Sequence, residues 1–264
     1  HNALDGLIDG GPHNGCELPD SEHSKTVCFI ATGGTEEIFK DYVGIIPRPV
    51  LLLSDGLHNS FAAAFEIKTF LAQQGIASSL FNAPLNDSPD FYESLEKSLF
   101  GDTPDPDVII PGDPLPKFPK AVLKAFEKTK IGLIGGASGW LISSGIDREA
   151  VQQAYGVKFE DIELKEVEDE YAGIPADAPE TVPILSRMSP FLTGGRSEED
   201  LRNAARMYLA LRKICSRHAL NALTLKCFGI LGTCRTTACL ALALLNDEGI
   251  VAGCEGDVPA LWTM

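Results

Sequence analysis

The feature that most constrains this chain is a recurring pair. A short apolar run stops at a glycine-rich or polar turn, and a segment with helical spacing follows. Residues 26–31 (TVCFIA) break at Thr32-Gly33-Gly34-Thr35, and Glu36 to Tyr42 then reads as a helix. Residues 49–53 (PVLLL) end at Ser54-Asp55-Gly56. A helix from about Asn59 to Gln74 follows, with Phe61, Ala64, Phe65, Ile67, Phe70 and Leu71 on one face. Residues 130–134 (KIGLI) stop at Gly135-Gly136, and a short helix is expected from Asp147 to Tyr155. An acidic stretch, Glu160 to Glu170, surrounds an edge strand, and Ser197-Glu-Glu-Asp200 has the capping-box form that opens a helix to about Arg217. The order closes with a strand at Ala222 to Phe228, a helix at Thr236 to Asn246 and a strand at Ile250 to Cys254. A strand that is apolar along its whole length needs cover on both faces. The expected class is therefore α/β, with mainly parallel sheets in three layers.

A break divides the pattern. Between Asp102 and Lys120 fall six of the chain's 17 prolines, and proline removes a backbone donor and fixes φ, so neither a helix nor a central strand runs through. With 264 residues, and domains of roughly 150 residues as a guide, two domains are expected, 1–120 and 121–264.

The net charge of −15 sets the chain against phosphate backbones and anionic lipid, which excludes nucleic acid and membrane surfaces as expected partners. The longest apolar run, Ala238 to Leu245, is far short of the roughly 18 residues of a membrane span. The opening HNALDGLIDGG has no basic region, no apolar core and no initiator Met, and reads as the start of a fragment. Seven cysteines, none in a C-x-x-C pair and five in apolar contexts, read as core thiols in a reducing, cytoplasmic compartment.

Open α/β sheets bind ligands beyond the carboxyl ends of their strands. That rule selects Thr32 to Glu36, Ser54 to His58, Gly135 to Trp140 and Glu255-Gly256-Asp257. Neither Gly-Gly turn matches a phosphate-loop pattern, so each reads first as a tight turn with positive φ. In the last segment two carboxylates flank a glycine directly after a buried strand. Such a group can ligate a divalent cation or take a proton from a carbon beside a carbonyl. The plainer reading makes Asp257 the N-cap of a helix begun by Pro259. Trp140 either stacks on a sugar ring or packs, while His58 and His218 have no partner at ligand spacing. Lys226, placed inside an apolar strand, is costly there unless paired or at a site. No Gly-x-Ser-x-Gly or Cys–His signature supports a nucleophilic hydrolase.

Several of these segments, taken in order, resemble the L-fucose isomerase-like family, which is related to the L-arabinose isomerases. They are ATGGTEEIF (31–39), LSDGLHNSFAAAFEI (53–67), IGLIGGASGWLISSGID (131–147), ALTLKCF (222–228) and TACLALALLNDEGIVAGCEGDVPALWTM (237–264). The resemblance implies two Rossmann-like α/β domains followed by a β-rich one. It implies a homo-oligomeric aldose–ketose isomerase, an intramolecular oxidoreductase with a small sugar as substrate, a manganese or other divalent ion, and proton transfer through an enediol. Carried over, Glu255 becomes a metal ligand and base, Asp257 a supporting acid, and Lys226 and Trp140 contributors to sugar binding. The family's second acidic ligand and its histidine lie further along than Met264, so the chain reads as truncated before the C-terminal domain. By itself it is expected to be inactive and to bind no tight Mn²⁺. Two other readings stand beside this one: a non-enzymatic carbohydrate-binding protein with two lobes, and a chain that retains only an assembly role.

Overall fold

A computed structural model describes residues 25–55, 57–82, 89–100, 119–188 and 197–264. Cys16 and nearly all of the proline-rich segment lie outside them. The described residues divide into two compact units, one of residues 25–100 with Gly139–Ser144 and the other of residues 119–138 with Gly145–Met264. Both are α/β with parallel sheets.

In the first unit β1 (Thr26–Ile30), α1 (Glu36–Tyr42), β2 (Val50–Ser54), α2 (Ser60–Gln73) and β3 (Ser78–Asn82) alternate, and α3 (Pro89–Phe100) follows. The strands lie in the order β1-β2-β3, all parallel, with Ile30 opposite Ser54 and Ser54 opposite Asn82. The period of two sends Cys28, Ile30, Val50 and Leu52 to one face, against Ala63, Ala64, Ile67 and Leu71 of α2. Of the face that the apolar spacing predicts, Ala64, Ile67, Phe70 and Leu71 are buried, whereas Phe61 and Phe65 are exposed and Ser60 and Ala63 are buried instead. The short polar strand SSLFN (78–82) and α3 carry no such signal and are not anticipated by it.

The second unit contains α4 (Lys120–Phe126), β4 (Lys130–Ile134), α5 (Arg148–Tyr155), β5 (Lys158–Ile162), α6 (Leu164–Ala172), α7 (Thr181–Met188) and α8 (Glu198–His218). They are followed by β6 (Ala222–Leu225), α9 (Cys239–Asp247), β7 (Val251–Cys254) and α10 (Val258–Thr263). Its parallel sheet runs β5-β4-β6-β7, with β5 at an edge. Ile131, Leu133 and Ala222 pack on one face with Val157 and Leu261. Ile134, Leu223 and Leu225 pack on the other with Met207, Leu211, Ile214 and Leu245. Helices therefore cover both faces of this sheet.

Two local expectations need correction. The strand at Ala222 stops at Leu225 instead of running to Phe228, and Lys226 leads into a 3₁₀ turn at Cys227–Ile230. Gly229 lies so close to Leu164 that a Cβ there would approach its Cδ2 to 2.5 Å, which leaves no room for side chains in that part of the path. The acidic stretch is an edge strand followed by a full helix, α6, whose Val167 and Tyr171 are buried. Of the six described cysteines, all free, Cys28, Cys215, Cys227 and Cys234 are buried, whereas Cys239 and Cys254 are exposed. Burial pushes the Cys28, Cys215 and Cys227 thiols up to about 11, so they behave as small apolar groups. No single described helix is long and apolar enough to cross a membrane.

The capping box at Ser197 forms as its sequence predicts: Ser197 Oγ accepts the Asp200 N–H at 3.1 Å, and the Asp200 carboxylate accepts the Ser197 N–H. At the far end of α8, His218 bonds Glu160 through Nδ1 at 2.9 Å and Glu166 through Nε2 at 2.8 Å. Both carboxylates raise the pKa of the imidazole, and His218 in turn helps to lower theirs. A raised histidine stabilises the fold fully below its unfolded pKa of about 6.5 and loses that contribution as pH rises through its native value. The lowered carboxylates act in the opposite sense, losing theirs as pH falls through their native range. His218→Gln is therefore expected to cost about 0.5–1 kcal/mol near pH 6. The difference from the parent should shrink as pH rises, as read from melting temperatures between pH 5 and 9. A difference that grows with pH would contradict this account.

Candidate active site

Parallel pairing brings the carboxyl ends of β4, β6 and β7 to one edge of the second sheet. Ile134 lies opposite Leu225, and Leu225 opposite Cys254, so the residues that leave these strands are Gly135, Lys226 and Glu255, side by side. The ladder continues one step beyond the strands: the Lys226 N–H donates to Ile134 O at 3.0 Å and the Glu255 N–H to Leu225 O at 2.9 Å. Three segments far apart in sequence thereby meet.

The turn after β4 needs its glycines. Gly135 and Gly136 have φ of +78° and +73°, a region closed to most side chains. After β7 the backbone turns in the same left-handed sense at Glu255 (φ +69°) and Gly256 (φ +75°). For a glutamate that conformation costs about 1–2 kcal/mol, and such strain persists only where the surroundings hold it. A Cβ at Gly256 would fall 2.3 Å from Gly136 O, so the two turns touch backbone to backbone.

Glu255 is half-buried, and burial raises its carboxyl above the ordinary range, with the Ser138 hydroxyl pulling the other way. Ser138 Oγ donates to Oε2 at a long 3.5 Å. Lys226, also half-buried, lines a neighbouring cavity of about 490 Å³ with Gly135, Gly136, Glu163, Leu164 and Gly229. A carboxyl raised by burial at the carboxyl edge of a parallel sheet, one strand away from the backbone of Lys226, is a group that can accept and return a proton at a polar substrate.

Asp257 takes the plainer of its two expected roles. Its Oδ1 accepts the Ala260 N–H at 2.9 Å as the N-cap of α10, with Pro259 in the first turn. Trp140 belongs to the first unit, in the Gly139–Ser144 segment, whereas Lys226 and Glu255 belong to the second. That segment is tied down by Glu66, whose carboxylate accepts the Ser143 N–H at 2.6 Å, the Ser144 N–H at 2.9 Å and the Ser144 hydroxyl at 2.8 Å. In the same unit the turns after β1 and β2 are joined, with the Gly33 N–H on His58 O at 2.8 Å, and His58 and Asn59 have positive φ. Glu36, at the start of α1, is almost wholly buried and its carboxyl is raised by burial.

Among the described residues no group of three or more His, Cys, Asp and Glu side chains could hold a metal ion. Glu255 offers a single carboxylate and Asp257 Oδ1 is engaged in its cap, so the described residues alone do not make up a manganese site. Sequence reasoning also missed Ser138 and Thr224. Both are buried polar residues in apolar or glycine-rich surroundings, and Thr224 between Leu223 and Leu225 was the legible signal, since a buried hydroxyl needs a partner.

No family model matches the chain. Over part of its length, however, the chain is similar to proteins of the sugar-isomerase class. Two such relatives are the sulfoquinovose isomerases of Priestia aryabhattai and Priestia megaterium, each 27% identical over 142 residues, or 52% of this chain. The match spans 31% of each relative's own length, so it covers only part of the proteins that the chain resembles.

Proposed function

We propose that the protein is an aldose–ketose isomerase in which Glu255 carries the proton. The observation that bears most weight is Glu255 itself: a half-buried, raised carboxylate in a strained backbone conformation at the carboxyl edge of a parallel sheet. The similarity to sulfoquinovose isomerases supports the class of reaction and makes sulfoquinovose the first sugar to try. Within that class the chain reads as L-fucose isomerase-like, with two Rossmann-like units, acting in a homo-oligomer.

An aldose becomes a ketose when the C2–H proton is removed and a proton is returned at C1, while the hydroxyl hydrogen on O2 passes to O1. Glu255 takes the C2 proton and delivers it to C1. Partial desolvation favours its protonated form and so makes it a stronger base than an exposed glutamate. The Lys226 ammonium donates to a sugar oxygen and stabilises the charge that develops on it. Trp140, in the other unit, enters as a separate candidate for stacking on a sugar ring. The manganese that the resemblance implies has one candidate donor here, Glu255, and no step is assigned to it.

The test is to incubate the intact protein with sulfoquinovose, and separately with L-fucose, in D₂O and to follow the sugar by NMR. A ketose should form, with solvent deuterium entering at the reacting carbons. A sugar-dependent rise in melting temperature with the sugar recovered unchanged would replace the isomerase with a binding protein.

A further inference from the structure

We propose that Ser138 and Thr224 are positioning residues that hold the Glu255 carboxylate in its working orientation. The inference rests on the reading of Glu255 as the proton carrier, and it concerns two residues that make no step themselves.

The backbone of Glu255 is held on both sides, and its carboxylate is approached by one hydroxyl. Its N–H donates to Leu225 O at 2.9 Å, and its carbonyl accepts the Ser138 N–H at 3.0 Å. The next amide, Gly256 N–H, donates to Thr224 Oγ1 at 3.1 Å instead of to a backbone carbonyl. Ser138 holds the same residue a second time, through the hydroxyl that reaches Oε2. Both hydroxyl residues are buried, Ser138 at 2% exposure and Thr224 at 1%.

A solvated turn whose task is to start α10 has no need of this. Asp257 already caps that helix with its own side chain. A left-handed position in such a turn favours glycine or asparagine, yet residue 255 is a glutamate at φ +69°. The hydrogen bonds around it keep a disfavoured backbone conformation and so determine where the Cα–Cβ bond points. The Ser138 hydroxyl then limits the rotation of the side chain. A carboxylate that must serve both C1 and C2 of a bound sugar tolerates little misplacement, and a shift of about 1 Å is worth about a hundredfold in rate.

The test compares Ser138→Ala with Ser138→Thr, and Thr224→Val with Thr224→Ser, in the intact protein and on the sugar that it isomerises. Loss of either hydroxyl is expected to lower kcat by about tenfold to a hundredfold. KM should stay within about threefold, because positioning acts on the transition state and not on ground-state binding. The variants that keep a hydroxyl should recover most of the rate. Wild-type kcat in both Ser138→Ala and Thr224→Val overturns the proposal, as does a change confined to KM or a loss that the hydroxyl-keeping variants do not repair. Melting curves accompany each variant, and should Ser138→Ala fail to fold, the Thr224 pair decides. Glu255→Gln is measured alongside. If it turns over like the parent, or if the protein isomerises no aldose, the reading of Glu255 falls and this inference falls with it. If it is inactive while both hydroxyl-deleted variants are normal, only the positioning role is lost.

Discussion

Glu255→Gln is expected to reduce isomerisation by about 10²–10⁴-fold, the range over which a positioned acid–base group contributes. Glutamine preserves the shape and the hydrogen bond from Ser138 while removing the ability to take a proton at all. KM should change little, since the amide still fills the same space. Glu255→Asp keeps the carboxylate but withdraws it by one methylene, and an intermediate rate is expected. The parent's kcat/KM should fall on the acid side as Glu255 is protonated. Because burial raises this carboxyl, the fall should begin above the ordinary glutamate range of about 4.3. Steady-state rates between pH 4 and 9 check both points. Parent-like turnover in the glutamine variant would remove Glu255 from the reaction.

Gly256→Ala has the second large effect, and it acts on the fold and the site together. The new Cβ would meet Gly136 O at 2.3 Å and Ala137 Cα at 2.6 Å, both backbone atoms that no side-chain rotation can clear. The residue also sits at φ +75°. Left-handed strain and overpacking together are expected to cost about 2–4 kcal/mol. That loss would be read as a lowered denaturant midpoint with an unchanged slope. Because relief requires the β4 and β7 turns to part, activity should fall even under conditions where the variant remains folded. A stable, active Gly256→Ala protein would mean that the close approach of the two turns is not needed.

Periodicity carried most of the architecture. The apolar runs at Thr26, Val50, Lys130, Ala222 and Val251 are strands within a few residues of their expected bounds, although Phe29 of β1 is half exposed and cover on both faces holds for the second sheet. It was blind where the signal is weak. The strand SSLFN has few apolar positions, and α6 lies in an acidic run whose buried Val167 and Tyr171 are outnumbered by charges on the solvent side. Of the candidate site, Glu255 and the Gly135-Gly136 turn stand out in the sequence, because an acid or a glycine pair directly after an apolar strand is a local signal. Lys226 was noticed for a reason that did not hold, since it follows the strand instead of lying within it. Ser138 and Thr224 acquire meaning only through partners 117 and 32 positions away, and that pairing comes from the strand order β5-β4-β6-β7, which no local window contains.

That strand order also sets a timetable for synthesis. In the first unit the strands join in chain order, so each nascent strand finds its neighbour already made. In the second, β4 must wait until β6 emerges before its other side is paired, and the turn after β4 meets its counterpart only when residues 255 and 256 have left the ribosome. Closing a loop of 117 residues costs about 4 kcal/mol of chain entropy, repaid only when the sheet closes around it. Until then Gly135, Gly136 and Ser138 form an open turn with an amide and a hydroxyl awaiting Glu255. Over that interval the half-made sheet presents the β4 edge to any other chain, so this unit's yield should depend on translation rate and chaperone supply more than that of the first.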